Sequence, residues 1–235
     1  TNALKHLKSG TTTIRSLGSK FDSDIELKNA IEMNIVNGPR LFASGVPLTM
    51  TGGHGHLFSQ EVDGCDEVMK AARLQLKKGA DVIKVFATGG GMTKGVKPGA
   101  SQLSEAEMHT AHLEAKKCGK ISSAHAQGNE GIKNAIRAEI TTIEHGVELD
   151  DEAIDLMIKN GTYLVATLAA PYNTVKHGIA GGIPEWAVRK NEEALIPHRE
   201  SFKKAYEAGV KIAAGNDAGT PFNGHDDFIT ELELM

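Results

Sequence analysis

Glycines divide this chain into a regular succession of helix-like and strand-like segments. Amphipathic segments end at Gly10, Gly79, Gly119, Gly161 and Gly209, and a β-rich run begins within about two residues of each. Glycine readily adopts the left-handed conformation that ends many helices, so it often occupies the position after the last helical turn. The pattern therefore predicts that helices lead repeatedly into strands.

Seven runs rich in apolar and β-branched residues are predicted to be strands. They cover residues 12–17, 40–44, 82–88, 121–126, 141–145, 162–168 and 211–216. Amphipathic helices lie between them, for example at residues 151–160 and after Ser104, which forms a capping box with Glu107. Strands and helices that alternate over short connections predict an α/β fold, in which helices cover a parallel sheet.

Two architectures fit this alternation: a (β/α)8 TIM-type barrel and an open doubly wound sheet. No Gly-x-Gly-x-x-Gly fingerprint follows the first strand, which disfavours a dinucleotide-binding sheet. Residues 88–95 are rich in glycine but lack the spacing of a phosphate-binding loop. We interpret them as a flexible loop over an active site.

Composition excludes several other classes of protein. The chain has 40% hydrophobic and 24% charged residues and a net charge of -4, as an ordinary globular domain does. It lacks the basic stripe of a nucleic-acid-binding protein and an apolar run long enough for a membrane span. No linker or charge run divides it, so residues 1–235 are expected to form one domain. Cys65 and Cys118 are too few for a disulfide framework, which favours a reducing compartment such as the cytoplasm.

Lys84 lies within a predicted strand that is otherwise apolar on both faces. A charged amine is costly to bury, and burial favours its neutral form. A neutral amine suits Schiff-base formation, general base catalysis, or carbamate formation with carbon dioxide followed by metal binding. The alternative is a lysine whose stem packs in the strand while its ammonium reaches a pocket or an acid.

Three further polar residues stand at the ends of predicted strands: His125, His145 and Asp217. A single histidine at a strand end is usually a packing residue. In a βα barrel, however, working residues lie at the carboxyl ends of strands, and here four metal-capable groups occupy equivalent places. Imidazole and carboxylate suit zinc and related divalent ions.

These residues carry a resemblance to the amidohydrolase superfamily. The segments are IKVFATGGG with Lys84, SSAHAQG with His125, TIEHG with His145 and GNDAG with Asp217. Together with GGHGH, TGGGMTKG and TIEHGVELDDE, they resemble the branch of metal-dependent Xaa-Pro dipeptidases, related carboxypeptidases and imidazolonepropionase-like enzymes. Each motif alone is weak, whereas the ordered set covers nearly the whole chain.

The resemblance implies a TIM-type barrel with two divalent metal ions, expected to be zinc, bridged by a carboxylated Lys84. It implies that His125 and His145 bind the second metal and that Asp217 binds the first metal and handles the proton. The expected activity is hydrolysis of amide or peptide C–N bonds in small substrates by a metal-bound hydroxide. Dipeptides with proline or a basic or hydrophobic residue at the C-terminus are the expected substrates.

Residues outside this set are assigned by position. His54 is expected to face the substrate, and Tyr172, after the seventh strand of the family, to bind a substrate carboxylate. Glu144 is expected to alternate away from the barrel interior and to give packing or hydrogen-bonding support. Arg189 and His198 are expected to lie on solvated helix faces. His54 and His56 have the His-x-His spacing of the family's first strand but follow its third, so they are not expected to replace that pair.

The His-x-His strand of the family is absent from this sequence, and the first predicted strand resembles the family's second. The chain is therefore expected to be a partial barrel with strands 2–8, truncated at both ends and lacking a flanking β domain. Because the N-terminus is expected to be missing, secretion is left open.

Three other functions remain open. A Schiff-base barrel would use Lys84 without metal, and a scaffold barrel would have lost catalysis. A deaminase or cyclic amidohydrolase would use the same metals on a different substrate. The expected partner is a small molecule or dipeptide, not nucleic acid or a membrane, and homo-oligomers are left open.

Overall fold

The computed structural model describes all 235 residues as alternating strands and helices. The strands are β1 Thr13–Arg15, β2 Arg40–Phe42, β3 Leu48–Thr49, β4 Gln60–Glu61, β5 Val82–Phe86, β6 Ile121–Ala126, β7 Thr142–His145, β8 Tyr163–Val165 and β9 Lys211–Ile212. The helices are α1 Asn2–Lys8, α2 Ser23–Glu32, α3 Cys65–Lys78, α4 Glu105–Lys117, α5 Asn129–Arg137, α6 Asp151–Asn160, α7 Ala169–His177, α8 Glu185–Glu207 and α9 Ile229–Leu234.

Every pair of neighbouring strands is parallel. One sheet has the order β4-β3-β5-β6-β7-β8-β9, and β1 pairs with β2 in a second sheet. The Asp81 amide donates to the Ala43 carbonyl at 2.7 Å, which ties the segment after β2 to the start of β5. The predicted partial TIM-type barrel is confirmed.

All seven predicted strands are present, although most are shorter than predicted. Two strands were not predicted, β3 and β4, because each is only two residues long and shows no alternation of apolar and polar residues. They widen the sheet beside β5 and lie on either side of the segment that carries His54.

Helices are packed against the outer face of the sheet. Alternate strand residues such as Ile83, Val85, Ala124, Ile143 and Leu164 are buried in a core of 30 residues between the sheet and its helices. Many core residues are alanine, which lets helices approach the strands closely. The other face of β5, β6 and β7 carries the polar side chains of Lys84, His125 and Glu144, together with the Phe86 ring.

The predicted helix boundaries follow from capping. Ser104 and Glu107 form the expected capping box at the start of α4, and the Asp150 side chain caps α6. Gly79 and Gly161 end α3 and α6 with φ of 103° and 69°, values that cost other residues free energy. No helix has both the length and the apolar character that crossing a bilayer requires.

Candidate active site

The parallel register aligns the carboxyl ends of β5, β6 and β7. Phe86 is level with His125, and Ala126 is level with His145. Lys84, His125, His145, Asp217 and His54 consequently line one cavity of about 770 Å³. The structure thus brings together five of the six side chains that the sequence assigned to the site.

Lys84 is 5% exposed, and its Nζ makes no hydrogen bond or salt bridge to another residue. Burial lowers the pKa of Lys84 to about 8, although the Glu144 and Asp217 carboxylates oppose this shift. A sizeable fraction of the amine is therefore neutral near pH 8. Lys84 is thus buried, as its place within an apolar strand predicts.

Hydrogen bonds fix the tautomers of the two histidines. His125 Nε2 lies 3.1 Å from the Gly89 carbonyl oxygen, which only accepts, so Nε2 carries the proton and Nδ1 keeps its lone pair. Thr167 donates its hydroxyl to the Ala166 carbonyl at 2.5 Å and therefore accepts from His145 Nδ1 at 2.6 Å. His145 Nε2 thus keeps its lone pair.

Both imidazoles are neutral. Burial, followed by neighbouring histidines and Lys84, holds the pKa of His125 well below its usual value. Burial and then the Lys84 charge do the same for His145. The two ring centroids lie 4.6 Å apart, so two unprotonated ring nitrogens are available close to the Lys84 amine.

Three neighbouring strands have a non-glycine residue in the left-handed conformation at their carboxyl end or in the segment that follows. His145 at the end of β7 has φ 76°, Thr167 beyond β8 has φ 58° and Asp217 beyond β9 has φ 55°. This conformation is unusual for any L-residue and especially for β-branched threonine. At His145 it turns the ring toward the cavity, although the strand's alternation would direct this side chain outward.

Asp217 is exposed to the cavity, and its carboxylate accepts no hydrogen bond from another residue. Desolvation within the barrel raises the pKa of Asp217, and the Lys84 charge opposes that shift. The buried Asn223 amide donates to the Asp217 carbonyl at 3.0 Å and to the Asn216 carbonyl. The backbone of Asp217 is thus held while its carboxylate stays free.

The predicted direction of the Glu144 side chain was wrong, whereas the hydrogen-bonding support expected of it is present. Its side chain shares the interior face with Thr142, because Ile143 between them packs into the outer core. Glu144 Oε1 accepts from Arg15 Nη2 at 2.9 Å, across 129 residues of sequence, and from Ser123 Oγ at 2.9 Å. The apolar Ile143 of β7 indicates that Thr142 and Glu144 face inward. The prediction instead took His145 as the inward-facing residue, which implied that Glu144 faces outward.

The prediction for His198 was also wrong. It is 2% exposed, and its Nε2 donates to the carbonyls of Ala166 at 2.6 Å and His145 at 3.0 Å. It therefore bridges the ends of β7 and β8 from helix α8. Arg189 is exposed as predicted.

His54 and His56 differ in position. The His54 ring lies 4.5 Å from that of His125, and its Nδ1 is 2.8 Å from Thr93 Oγ1, so it borders the site. His56 Nδ1 bonds to the Gly53 carbonyl at 2.9 Å within its own loop. Tyr172 is exposed on α7 beneath the Lys176 ammonium, and it is not part of the cavity wall.

The side chains of this cavity suit a divalent metal if Lys84 serves as one of the ligands. No three His, Cys, Asp or Glu side chains converge as a ready metal site. Lys84, by contrast, is a buried amine without a partner beside two available imidazole nitrogens and an unbonded carboxylate. A carboxylated lysine would add the anionic oxygens that hard or borderline metals prefer.

Comparison with known proteins assigns the chain to a family. Ochratoxinase from Aspergillus niger is 32% identical over 237 residues, which cover 90% of this chain and 48% of that protein. A Xaa-Pro dipeptidase structure with methionine bound in the active site superposes with a TM-score of 0.91 and 36% identity, over 99% of this chain and 61% of that chain. A prolidase structure in complex with N-methylphosphonate-L-proline superposes with a TM-score of 0.90 and 31% identity, over 99% of this chain and 60% of that chain. The chain thus spans about half the length of the curated relatives it matches. The sequence profile of the amidohydrolase family matches residues 1–235, and this chain belongs to that family.

Proposed function

We propose that this protein is a metal-dependent amidohydrolase that cleaves C–N bonds in dipeptides and similar small amides. The observation that carries the proposal is the partnerless buried Lys84 between two neutral histidines and a free carboxylate. The similarity to a Xaa-Pro dipeptidase supports dipeptides as the substrate class.

Lys84 is proposed to react with carbon dioxide. The neutral amine attacks the carbon, an N–C bond forms, and one proton leaves to solvent, which yields a carbamate anion. The pKa of Lys84 near 8 supports this step, because the neutral form is accessible at moderate pH. Burying the resulting anion without a cation would be costly.

The carbamate oxygens, His125 Nδ1, His145 Nε2 and the Asp217 carboxylate would hold two divalent ions, for which zinc is proposed. When bound, such ions supply a water of lowered pKa and polarise the amide carbonyl. Thr167 keeps His145 in the required tautomer, and Gly89 does the same for His125.

Asp217 is proposed to accept the proton of the attacking water and to pass it to the leaving nitrogen. Its carboxylate faces the cavity, and its raised pKa moves it toward the range in which a carboxylate can exchange protons. Asp217→Asn should lower kcat by several orders of magnitude while metal content partly survives. Near-full turnover of that variant would refute the proton role.

Metal content measured by plasma mass spectrometry tests the proposal. About two equivalents of zinc, retained only when bicarbonate is present during loading, are expected of the full-length protein. Lys84→Met should abolish the dependence on bicarbonate, and the exposed Lys159→Met is the matched control. Absence of bound metal with and without bicarbonate would refute the proposal.

A metal-free lysine mechanism predicts a different result. Borohydride in the presence of a carbonyl substrate would then attach that substrate covalently to Lys84. This mechanism gives no use for the free ring nitrogens of His125 and His145, and we therefore favour hydrolysis.

A further inference from the structure

Lys190 is a cation of the cavity wall with no acidic neighbour within ion-pair distance, and, unlike Lys84, it lies in the field of no nearby carboxylate. Arg15 is paired with Glu144, and the field of Glu144 and Asp217 acts on Lys84. Lys190, on helix α8, forms hydrogen bonds only to neutral groups: its Nζ donates to the carbonyls of Thr93 at 2.8 Å and Val96 at 2.5 Å. An ammonium has three N–H donors, so one remains for a ligand.

The surroundings of Lys190 do not neutralise its charge. Its ammonium lies 5.2 Å from the centroid of the Trp186 ring, and the adjacent cation is Arg189. Partial burial, and then Arg189, lower the pKa of Lys190. A partly desolvated cation without a counter-ion is costly, and an anionic ligand would offset that cost.

A short chain of contacts connects Lys190 to the reactive residues. The carbonyl of Thr93 binds Lys190, and the hydroxyl of Thr93 lies 2.8 Å from His54 Nδ1. The His54 ring in turn lies 4.5 Å from that of His125. An anion held by Lys190 would therefore sit in the same cavity as Lys84, a few side chains from it.

Part of the wall of this cavity is apolar. Leu57 is 78% exposed, and Phe58 and Met92 are also exposed on the cavity wall. Such side chains suit a substrate that carries an apolar group next to its charged one.

We propose that Lys190 is the receptor for a free carboxylate of the substrate, so that the protein selects amides of amino acids whose α-carboxylate is unblocked. This inference rests on the proposed function for its biological meaning. Lys190 replaces Tyr172 in the carboxylate-binding role, since Tyr172 lies outside the cavity wall.

Calorimetric titration of the protein with L-methionine and L-methioninamide tests the receptor without turnover. The wild type should bind the carboxylate at least about 10-fold more tightly than the amide, the lower range for a hydrogen bond to a charged group. Lys190→Met should abolish this preference. Lys190→Gln, which keeps an N–H donor for the loop carbonyls but not the charge, should also abolish it. Lys94→Met, an exposed lysine of the same loop, should keep it.

Turnover of glycyl-L-methionine and its C-terminal amide provides the second readout. The ratio of kcat/KM for acid over amide should fall about 10- to 100-fold in Lys190→Gln. A residue that only anchors the loop would lower both values and leave the ratio unchanged. An unchanged ratio, equal wild-type affinity for the two ligands, or binding of neither would overturn the inference. If neither dipeptide is hydrolysed while the binding preference follows Lys190, the proposed function fails and the receptor stands.

Discussion

Replacing Arg15 should destabilise the fold strongly, because its partner is buried on the far side of the barrel. The Glu144 side chain is 4% exposed, and Arg15 Nη2 lies 2.9 Å from its Oε1. Removing one partner of a buried pair costs about 3–5 kcal/mol. Hydroxyls of Ser123 and Thr142 still donate to Glu144, and the Arg15 side chain is 23% exposed. We therefore expect Arg15→Met to cost about 3 kcal/mol of unfolding free energy, at the low end of that range.

A double-mutant cycle measured by urea denaturation separates this loss from lost packing. Glu144→Gln removes the charge that Arg15→Met leaves uncompensated, so the double variant should be more stable than the sum of the single effects. We expect a coupling energy of about 2 kcal/mol.

Arg73→Met is the matched control. Arg73 Nε also lies 2.9 Å from a carboxylate, that of Glu114, but the Arg73 side chain is 57% exposed and Lys117 also pairs with Glu114. Its removal should cost at most about 1 kcal/mol. The reasoning is refuted if Arg15→Met costs no more than Arg73→Met, or if the cycle is additive within about 0.5 kcal/mol.

Three further outcomes are expected. Burial raises the pKa of Glu231 from 4.5 to about 7. The contribution of this carboxyl group to folding stability is therefore fully present below pH 4.5 and is lost as pH rises through 7. Urea unfolding at pH 4 and pH 8 should show a loss of about 3 kcal/mol from this group, absent in Glu231→Gln. Gly131→Ala should cost about 1–3 kcal/mol in the same assay, because its Cβ would overlap the Thr88 methyl group. Thr167→Val should weaken the proposed zinc binding about 10- to 100-fold in chelator competition, whereas Thr167→Ser keeps the hydroxyl that orients His145 and should bind normally.

Each of these expectations has a clear counter-result. An equal pH slope in Glu231→Gln would show that the backbone amides of Leu168 and Ala169, which donate to this carboxylate, compensate its burial fully. An unchanged unfolding free energy in Gly131→Ala would show that α5 can shift away from β5. Unchanged zinc affinity in Thr167→Val would mean that the threonine hydroxyl does not fix the His145 tautomer.

The sequence was sufficient for the barrel because its signals are local. The left-handed glycines, the capping box at Ser104 and the apolar runs each depend on a few neighbouring residues. Strands β3 and β4 were not predicted because a strand of two residues shows no detectable alternation of apolar and polar residues.

Within the site, residues at strand ends were found and residues that act through long-range contacts were not. Lys84 and His125 are conspicuous in the sequence because a polar group interrupts an apolar run. Arg15 and His198 gave no such signal, because their partners lie far away in sequence. Glu144 was misplaced since strict alternation fails where a strand ends in a left-handed residue.

The left-handed residues at or beyond the ends of β7, β8 and β9 lower the stability of the fold, but they include groups proposed for catalysis. Each non-glycine residue there costs about 1–2 kcal/mol relative to an unstrained backbone, and glycine would recover most of it. A laboratory selection for heat resistance alone would therefore favour glycine at His145, Thr167 and Asp217. The most accessible gains in thermal tolerance would remove the groups proposed for catalysis first, so activity has to be selected alongside stability in any engineering of this barrel.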